Sequence, residues 1–229
     1  MNVLIVGGSS DIGKKLALFL LNNGYKVIAT YNRHKCELNG IDYYKLDISK
    51  ENEIDKLIND VCLKYGHIDI LINLASISYD DDISFIDKDN FMKVLEVNIL
   101  GTFLTSKVFS RYSDGLIINM ASTDGIDTFS RYSIPYSVSK AGIINLSKSM
   151  ALAIDNKIVC ICPNWIDSDS TNEMDRDYLT SELKRIHQDR LISIDELNKC
   201  IYEIINENII SGSVYRIDIK KGQLWKERI

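Results

Sequence analysis

Only two prolines occur in the 229 residues, and no internal repeat, low-complexity tract or linker-like stretch separates one part of the chain from another. That excludes a string of modules and reads as one domain spanning 1–229. Five cysteines (Cys36, Cys62, Cys160, Cys162, Cys200) make an odd set with no CxxC pair, and His34, His67 and His187 are scattered. Neither pattern has metal-ligand spacing, so no metal centre is expected. Cys160 and Cys162 alternate within KIVCICP and share one face of a predicted strand, which reads as a pair of small apolar core side chains. No apolar run approaches the ~20 residues of a membrane span. The opening MNVLIVGGSS lacks the basic start and long apolar stretch of a signal peptide, so the expected location is cytoplasmic. The net charge of -5 supplies no basic surface for nucleic acid or an anionic membrane.

What is present is alternation. With 45% hydrophobic residues the chain can bury one sizeable core. Short apolar runs at 2–6, 26–30, 42–46, 67–73, 115–121, 157–162 and 213–219 read as strands. Helical patterns at 12–22, 51–65, 87–110, 135–155, 172–185 and 195–207 separate them. Strand–helix alternation predicts an α/β, Rossmann-type, doubly wound parallel sheet of about seven strands. Helices on both faces make it a three-layer sandwich, with its ligand at the carboxyl ends of the strands.

The first strand runs into Gly7-Gly8-Ser9-Ser10-Asp11-Ile12-Gly13 at the start of a helix. Glycines permit a tight turn and close backbone approach, and the helix start offers free N–H groups to a pyrophosphate. The second strand ends in Thr30-Tyr31-Asn32-Arg33, with no acidic residue to hold ribose hydroxyls. Arg33, with Asn32 and Thr30, suits a 2′-phosphate, so NADP(H) is expected ahead of NAD(H).

These residues resemble the first loop of the short-chain dehydrogenase/reductase family, Thr-Gly-x-x-x-Gly-x-Gly. Gly7 and Gly13 match its outer glycines, Val6 replaces the threonine, and Asp11 replaces the middle glycine at a position where a carboxylate caps a helix start. The resemblance continues along nearly the whole chain. Asp47, with Ile48 beside it, matches the aspartate near the adenine. Asn73-Leu74-Ala75-Ser76 is similar to the family's Asn-Asn-Ala-Gly, so Asn73 and Ala75 are expected at the cofactor. Pro163, Ile166 and Ser168 stand in the segment that meets the nicotinamide. Asn164 takes the place of a glycine there, since asparagine tolerates left-handed backbone.

Tyr136 and Lys140 are four apart and share a helix face. Ser122 ends the fifth strand and Asn98 lies in the preceding helix. In this order they match the family's catalytic four. The resemblance implies that Tyr136 is general acid and base, with its pKa lowered by Lys140. It implies that Ser122 holds the substrate oxygen, that Lys140 also grips the nicotinamide ribose, and that Asn98, at a backbone kink, holds a proton-relay water. The implied activity is reversible hydride transfer between nicotinamide and a small carbonyl or alcohol, with a 3-oxoacyl thioester as one candidate.

Two alternatives stay open. One is a catalytically silent, nucleotide-binding regulatory protein. The other is an epimerase or dehydratase of the longer-chain branch, for which 229 residues leave little room. The substrate loop is expected at about 167–190, with Ile126, Phe129, Tyr132 and Ile134 lining the other wall. A homotetramer or homodimer is implied, pairing the helices at 87–110 and 135–155 and completed by the C-terminal IDIKKGQLW.

Overall fold

The computed structural model describes residues 1–229. Its first half runs β1 (Asn2–Val6), α1 (Asp11–Asn22), β2 (Lys26–Tyr31), β3 (Asp42–Lys45), α2 (Glu51–Tyr65), β4 (Ile70–Asn73) and α3 (Lys88–Leu95). A π-helical turn, Glu96–Leu100, joins α3 to α4 (Gly101–Tyr112). Then follow β5 (Leu116–Met120), a 3₁₀ turn at Thr123–Gly125, α5 (Ile134–Met150) and β6 (Ile158–Pro163). The remainder is β7 (Ile166–Asp167), α6 (Asp169–Asn172), α7 (Arg176–Arg185), β8 (Ile192–Ser193), α8 (Ile194–Asn206), β9 (Ser213–Lys220) and β10 (Gln223–Arg228).

Eight strands form the main sheet in the order β10-β9-β6-β5-β4-β1-β2-β3. All neighbours pair in parallel except β10, which runs antiparallel to β9 from Gln223↔Lys220 to Arg228↔Tyr215. The strand order reverses at β1, between β2 and β4, which opens a crevice at the carboxyl ends of the strands. The sheet matches the doubly wound arrangement of about seven strands that was expected, with β10 as an eighth strand. The C-terminal IDIKKGQLW, read as a segment that completes a tetramer, turns at Gly222 and folds back along its own chain.

Side-chain alternation in β1 explains the two layers of core. Val3 and Ile5 face Leu16 and Leu20 of α1 and Ile201 and Ile204 of α8. Leu4 and Val6 face Ile54 and Ile58 of α2 and Val108 and Phe109 of α4. Cys160 and Cys162 sit on one face of β6 in a small cluster with Ala121, Ile143 and Val214, as the apolar reading expects. The helix expected at 172–185 is broken at 173–175 into α6 and α7. No helix is long and apolar enough to cross a membrane.

Candidate active site

A single cleft of about 1410 Å3 runs across the carboxyl ends of the strands, from Arg33 at one end to Tyr178 at the other. Most of the expected binding residues line it: Gly7, Ser9, Ser10, Ile12, Asn32, Arg33, Asp47, Ile48, Ala75, Pro163, Ile166 and Ser168, together with Ser122, Tyr136 and Lys140.

The glycine turn is shaped for close approach. Gly7 has φ +87°, and a Cβ there would stand 2.6 Å from the Ala75 nitrogen. A Cβ on Gly13 would stand 2.6 Å from the Gly7 oxygen, so Gly13 lies behind the cleft wall and lets α1 reach the turn. Ser10, and not Asp11, caps α1: its hydroxyl accepts from the Gly13 N–H at 3.0 Å. Asp11 turns aside to Lys15 at 3.2 Å and to the backbone N–H of Asp169 at 3.4 Å. The N–H groups of Asp11 and Ile12 have no acceptor within the protein, as the first turn of a helix dictates. A cradle that a Cβ would fill, with free donors above it, fits the pyrophosphate of a nicotinamide dinucleotide.

Four of the positions expected to bind the cofactor lie off the cleft wall. Besides Asp11 and Gly13, Tyr31 ends β2 outside it. The Asn73 amide is buried in a network, donating to Ser106 at 3.1 Å and Asn119 at 2.9 Å and accepting from Thr105 at 2.8 Å. That network ties β4, β5 and α4 together, so the Asn73 side chain braces the strands beneath the cleft. Asn164 is not left-handed. It is buried, donates to Asp218 at 3.0 Å and accepts from the Trp165 N–H at 3.0 Å. Of the four residues expected on the second wall, only Tyr132 lines the cleft, edge-on to Tyr178 at 5.9 Å.

At the chemical end, Tyr136 and Lys140 rise from the first turns of α5. The Lys140 ammonium is buried, donates to the Met120 carbonyl at 3.0 Å and lies 5.1 Å from the Tyr136 ring centroid. Burial pulls its pKa down to about 8. Burial pushes the Tyr136 phenol up, and the Asp124 carboxylate adds to that, while the Ser122 hydroxyl works against it. The expectation was that Lys140 lowers the phenol; here burial is the largest influence on it, because a charge without solvent is costly. Ser122 Oγ accepts from the Asp124 N–H at 3.1 Å, which starts the 3₁₀ turn and fixes the hydroxyl at the end of β5.

Asn98 is fully buried beneath this pair, inside the π-helical turn, which is the backbone kink expected of it. Its amide accepts from the Ile77 N–H at 2.8 Å and donates to the Ile77 carbonyl and to Ser139 Oγ, both at 2.9 Å. Its own carbonyl accepts from Thr102 Oγ1 at 2.7 Å. The sequence reading missed Ser139, which bridges Asn98 to the Tyr136 carbonyl at 2.7 Å. It also missed Asp124. The sequence signal for Asp124 was a carboxylate two residues after the strand-ending Ser122. The run Asp80-Asp81-Asp82, also on the cleft, was legible as charge but not as position.

The short chain dehydrogenase family profile matches residues 1–179. A carbonyl reductase family member 4 from Xenopus laevis is 30% identical over 228 residues, covering 93% of this chain and 94% of that one. The 3-oxoacyl-acyl-carrier-protein reductase FabG of Buchnera aphidicola subsp. Baizongia pistaciae (strain Bp) is 32% identical over 234 residues, covering 94% of each. Among solved structures, ElxO with NADP bound superposes with a TM-score of 0.83 at 30% identity, covering 94% of this chain and 96% of that one. A short chain dehydrogenase of Leptospira borgpetersenii serovar Hardjo-bovis (strain JB197) with bound NAD+ gives 0.83 at 25%, covering 95% and 91%.

Proposed function

From the premise that this chain belongs to the short-chain dehydrogenase family and is an NAD(P)-dependent dehydrogenase or reductase, we propose that it reduces a small carbonyl with Tyr136 as proton donor. The observation that carries this is the pair of half-buried Tyr136 and buried Lys140 on one face of α5, with Ser122 at the same cleft wall. The bound nicotinamide supplies or accepts the hydride. The Gly7 turn and the free N–H groups at the start of α1 hold the pyrophosphate, Asp47 and Ile48 lie against the adenine, and Ser168 and Ile166 meet the nicotinamide. Arg33 is exposed and makes no ion pair, which leaves its guanidinium free for a 2′-phosphate and favours NADP(H) over NAD(H).

Tyr136 holds its proton at neutral pH, as an ordinary phenol does, and burial pushes its pKa further up. That suits donation to a carbonyl oxygen as negative charge develops there. Ser122 donates a hydrogen bond to the same oxygen. Lys140 is mainly cationic at neutral pH, binds the nicotinamide ribose and steadies the phenolate left after the proton has moved. Asn98 is a positioning residue that fixes α5 against the π-helical turn and stands where a proton-relay water is expected. Relatives named for 3-oxoacyl reduction make an oxoacyl thioester a natural assay, although the acidic residues around the mouth disfavour an acidic carrier. The working unit is proposed to be a homodimer, built on the α3–α4 and α5 face, or a homotetramer.

Tyr136→Phe tests the assignment. It should fold and bind NADPH like the parent while kcat for carbonyl reduction falls by about 100-fold to 10000-fold. A variant that keeps its turnover removes Tyr136 from the proton-donor role.

A further inference from the structure

Asp124 is an acidic side chain without an assigned task, yet it lies on the cleft wall and is only 9% exposed. A carboxylate pays heavily for such burial unless its oxygens are matched. Oδ1 accepts from Thr128 Oγ1 at 2.9 Å, and no group of the protein donates to Oδ2. No cation lies within ion-pair distance of it. Arg185 is held by Glu182 at 2.7 Å and by the Thr128 carbonyl at 3.1 Å. Asp124 stands two residues after Ser122 in the 3₁₀ turn, where its N–H donates to Ser122 Oγ at 3.1 Å, and it lines the same cleft as Tyr136, which places it at the reacting end.

The surroundings are mostly acidic. Asp80, Asp81, Asp82, Glu173 and Asp175 line the cleft, and Lys140 is the cation at this end. Of the other cations on the wall, Arg33 follows β2 at the nucleotide end, and Lys93 is paired with Glu96 at 2.7 Å. A substrate carboxylate or phosphate would meet repulsion here, whereas a hydroxyl or ammonium would meet an open acceptor.

We propose that Asp124 selects the substrate by accepting a hydrogen bond, through its unpartnered oxygen, from a hydroxyl or ammonium carried one or two atoms from the reacting carbonyl. The substrate class is then a small donor-bearing ketone or aldehyde, or the matching alcohol, without an anionic group. This rests on the reading of Tyr136 and Lys140 as the reacting end.

The test compares kcat/KM for hydroxyacetone, aminoacetone, acetone and pyruvate, with NADPH and with NADH. The parent enzyme is expected to favour hydroxyacetone or aminoacetone over acetone by at least about tenfold, with pyruvate the poorest. Preference for the first identifies a hydroxyl and preference for the second an ammonium, and either supports the proposal. Asp124→Asn keeps the size but puts an NH2 donor where the open oxygen stood. The donor-to-acetone ratio should collapse by at least about tenfold. Because both substrates are read in one protein, general damage cancels from the ratio, and Asp124→Leu provides a second variant read in the same way. A ratio near one in the parent, or a ratio unchanged in both variants, overturns the role of Asp124 while leaving the oxidoreductase reading intact. Folded protein that turns over none of these ketones, nor oxidises the matching alcohols, overturns both.

Discussion

Asn98 Nδ2 donates to Ser139 Oγ at 2.9 Å, and this buried bond joins the π-helical turn to the catalytic helix one residue before Lys140. The same hydroxyl reaches the Tyr136 carbonyl at 2.7 Å. A buried side chain off the cleft lining therefore braces the helix that carries both reacting side chains.

Asn98→Ala deletes three hydrogen bonds and leaves the Ile77 backbone and Ser139 hydroxyl without those partners. Stability should fall by about 1–3 kcal/mol in urea unfolding. Loss of position should lower kcat by about tenfold to 100-fold with a much smaller change in KM. A variant with lowered stability but unaltered kcat would make Asn98 a structural residue alone.

Lys140 gives a pH signature. Its folded pKa of about 8 lies below the ordinary 10.5, so the unfolded chain holds more protons between those values and stability from this group rises with pH across that window. Below pH 8 the full cost of the buried charge is present. Lys140→Met should be inactive yet more stable than the parent at pH 7, by on the order of 2 kcal/mol after the lost bond to Met120. That advantage should shrink towards pH 10.5. Denaturant midpoints at pH 7 and pH 10 check it, and a constant difference would contradict the depressed pKa.

Arg33→Ser addresses cofactor choice. NADPH affinity should weaken by about tenfold, worth roughly 1.4 kcal/mol, while NADH affinity changes little. Fluorescence titration reads both constants. A parent that binds NADH more tightly would reverse the proposed preference.

The dimer has a face to match. Met92, Leu95, Ile99, Leu100, Phe103 and Leu146 line a groove of about 700 Å3 on α3, the π-helical turn, α4 and α5. Met92 is 52% exposed and Leu100 43%. Light scattering at micromolar concentration should give at least twice the 26.1 kDa chain mass, and Leu100→Glu should drive it to monomer. A monomeric parent would end the proposal.

The sheet and most of the helices were legible because each depends on local periodicity. Helix α2, Glu51–Tyr65, repeats its buried Ile54, Leu57, Ile58 and Val61 at helical spacing. Residues that recur in order, such as Tyr136 and Lys140, were legible through resemblance. What escaped depended on contacts distant in sequence. Asn73 looks like a ligand residue until Ser106 and Asn119 are brought to it. Asn164 looks like a turn residue until Asp218 arrives 54 positions later. Strand β10 reads as polar, with only half-buried side chains in its middle, because its pairing partner is a neighbouring strand and not a core.

That last strand has a consequence for solubility. A bare sheet margin is a template for other chains, and the outermost strands here are poor templates for different reasons. At one margin β3 has four residues and offers few free backbone groups. At the other, β9, with Val214, Ile217 and Ile219 buried, is shielded by a ribbon carrying Lys226, Glu227 and Arg228. Trimming the chain after Gly222 would bare a sticky eight-residue strand, and such a truncated protein is expected to precipitate or to recruit a second copy along that strand.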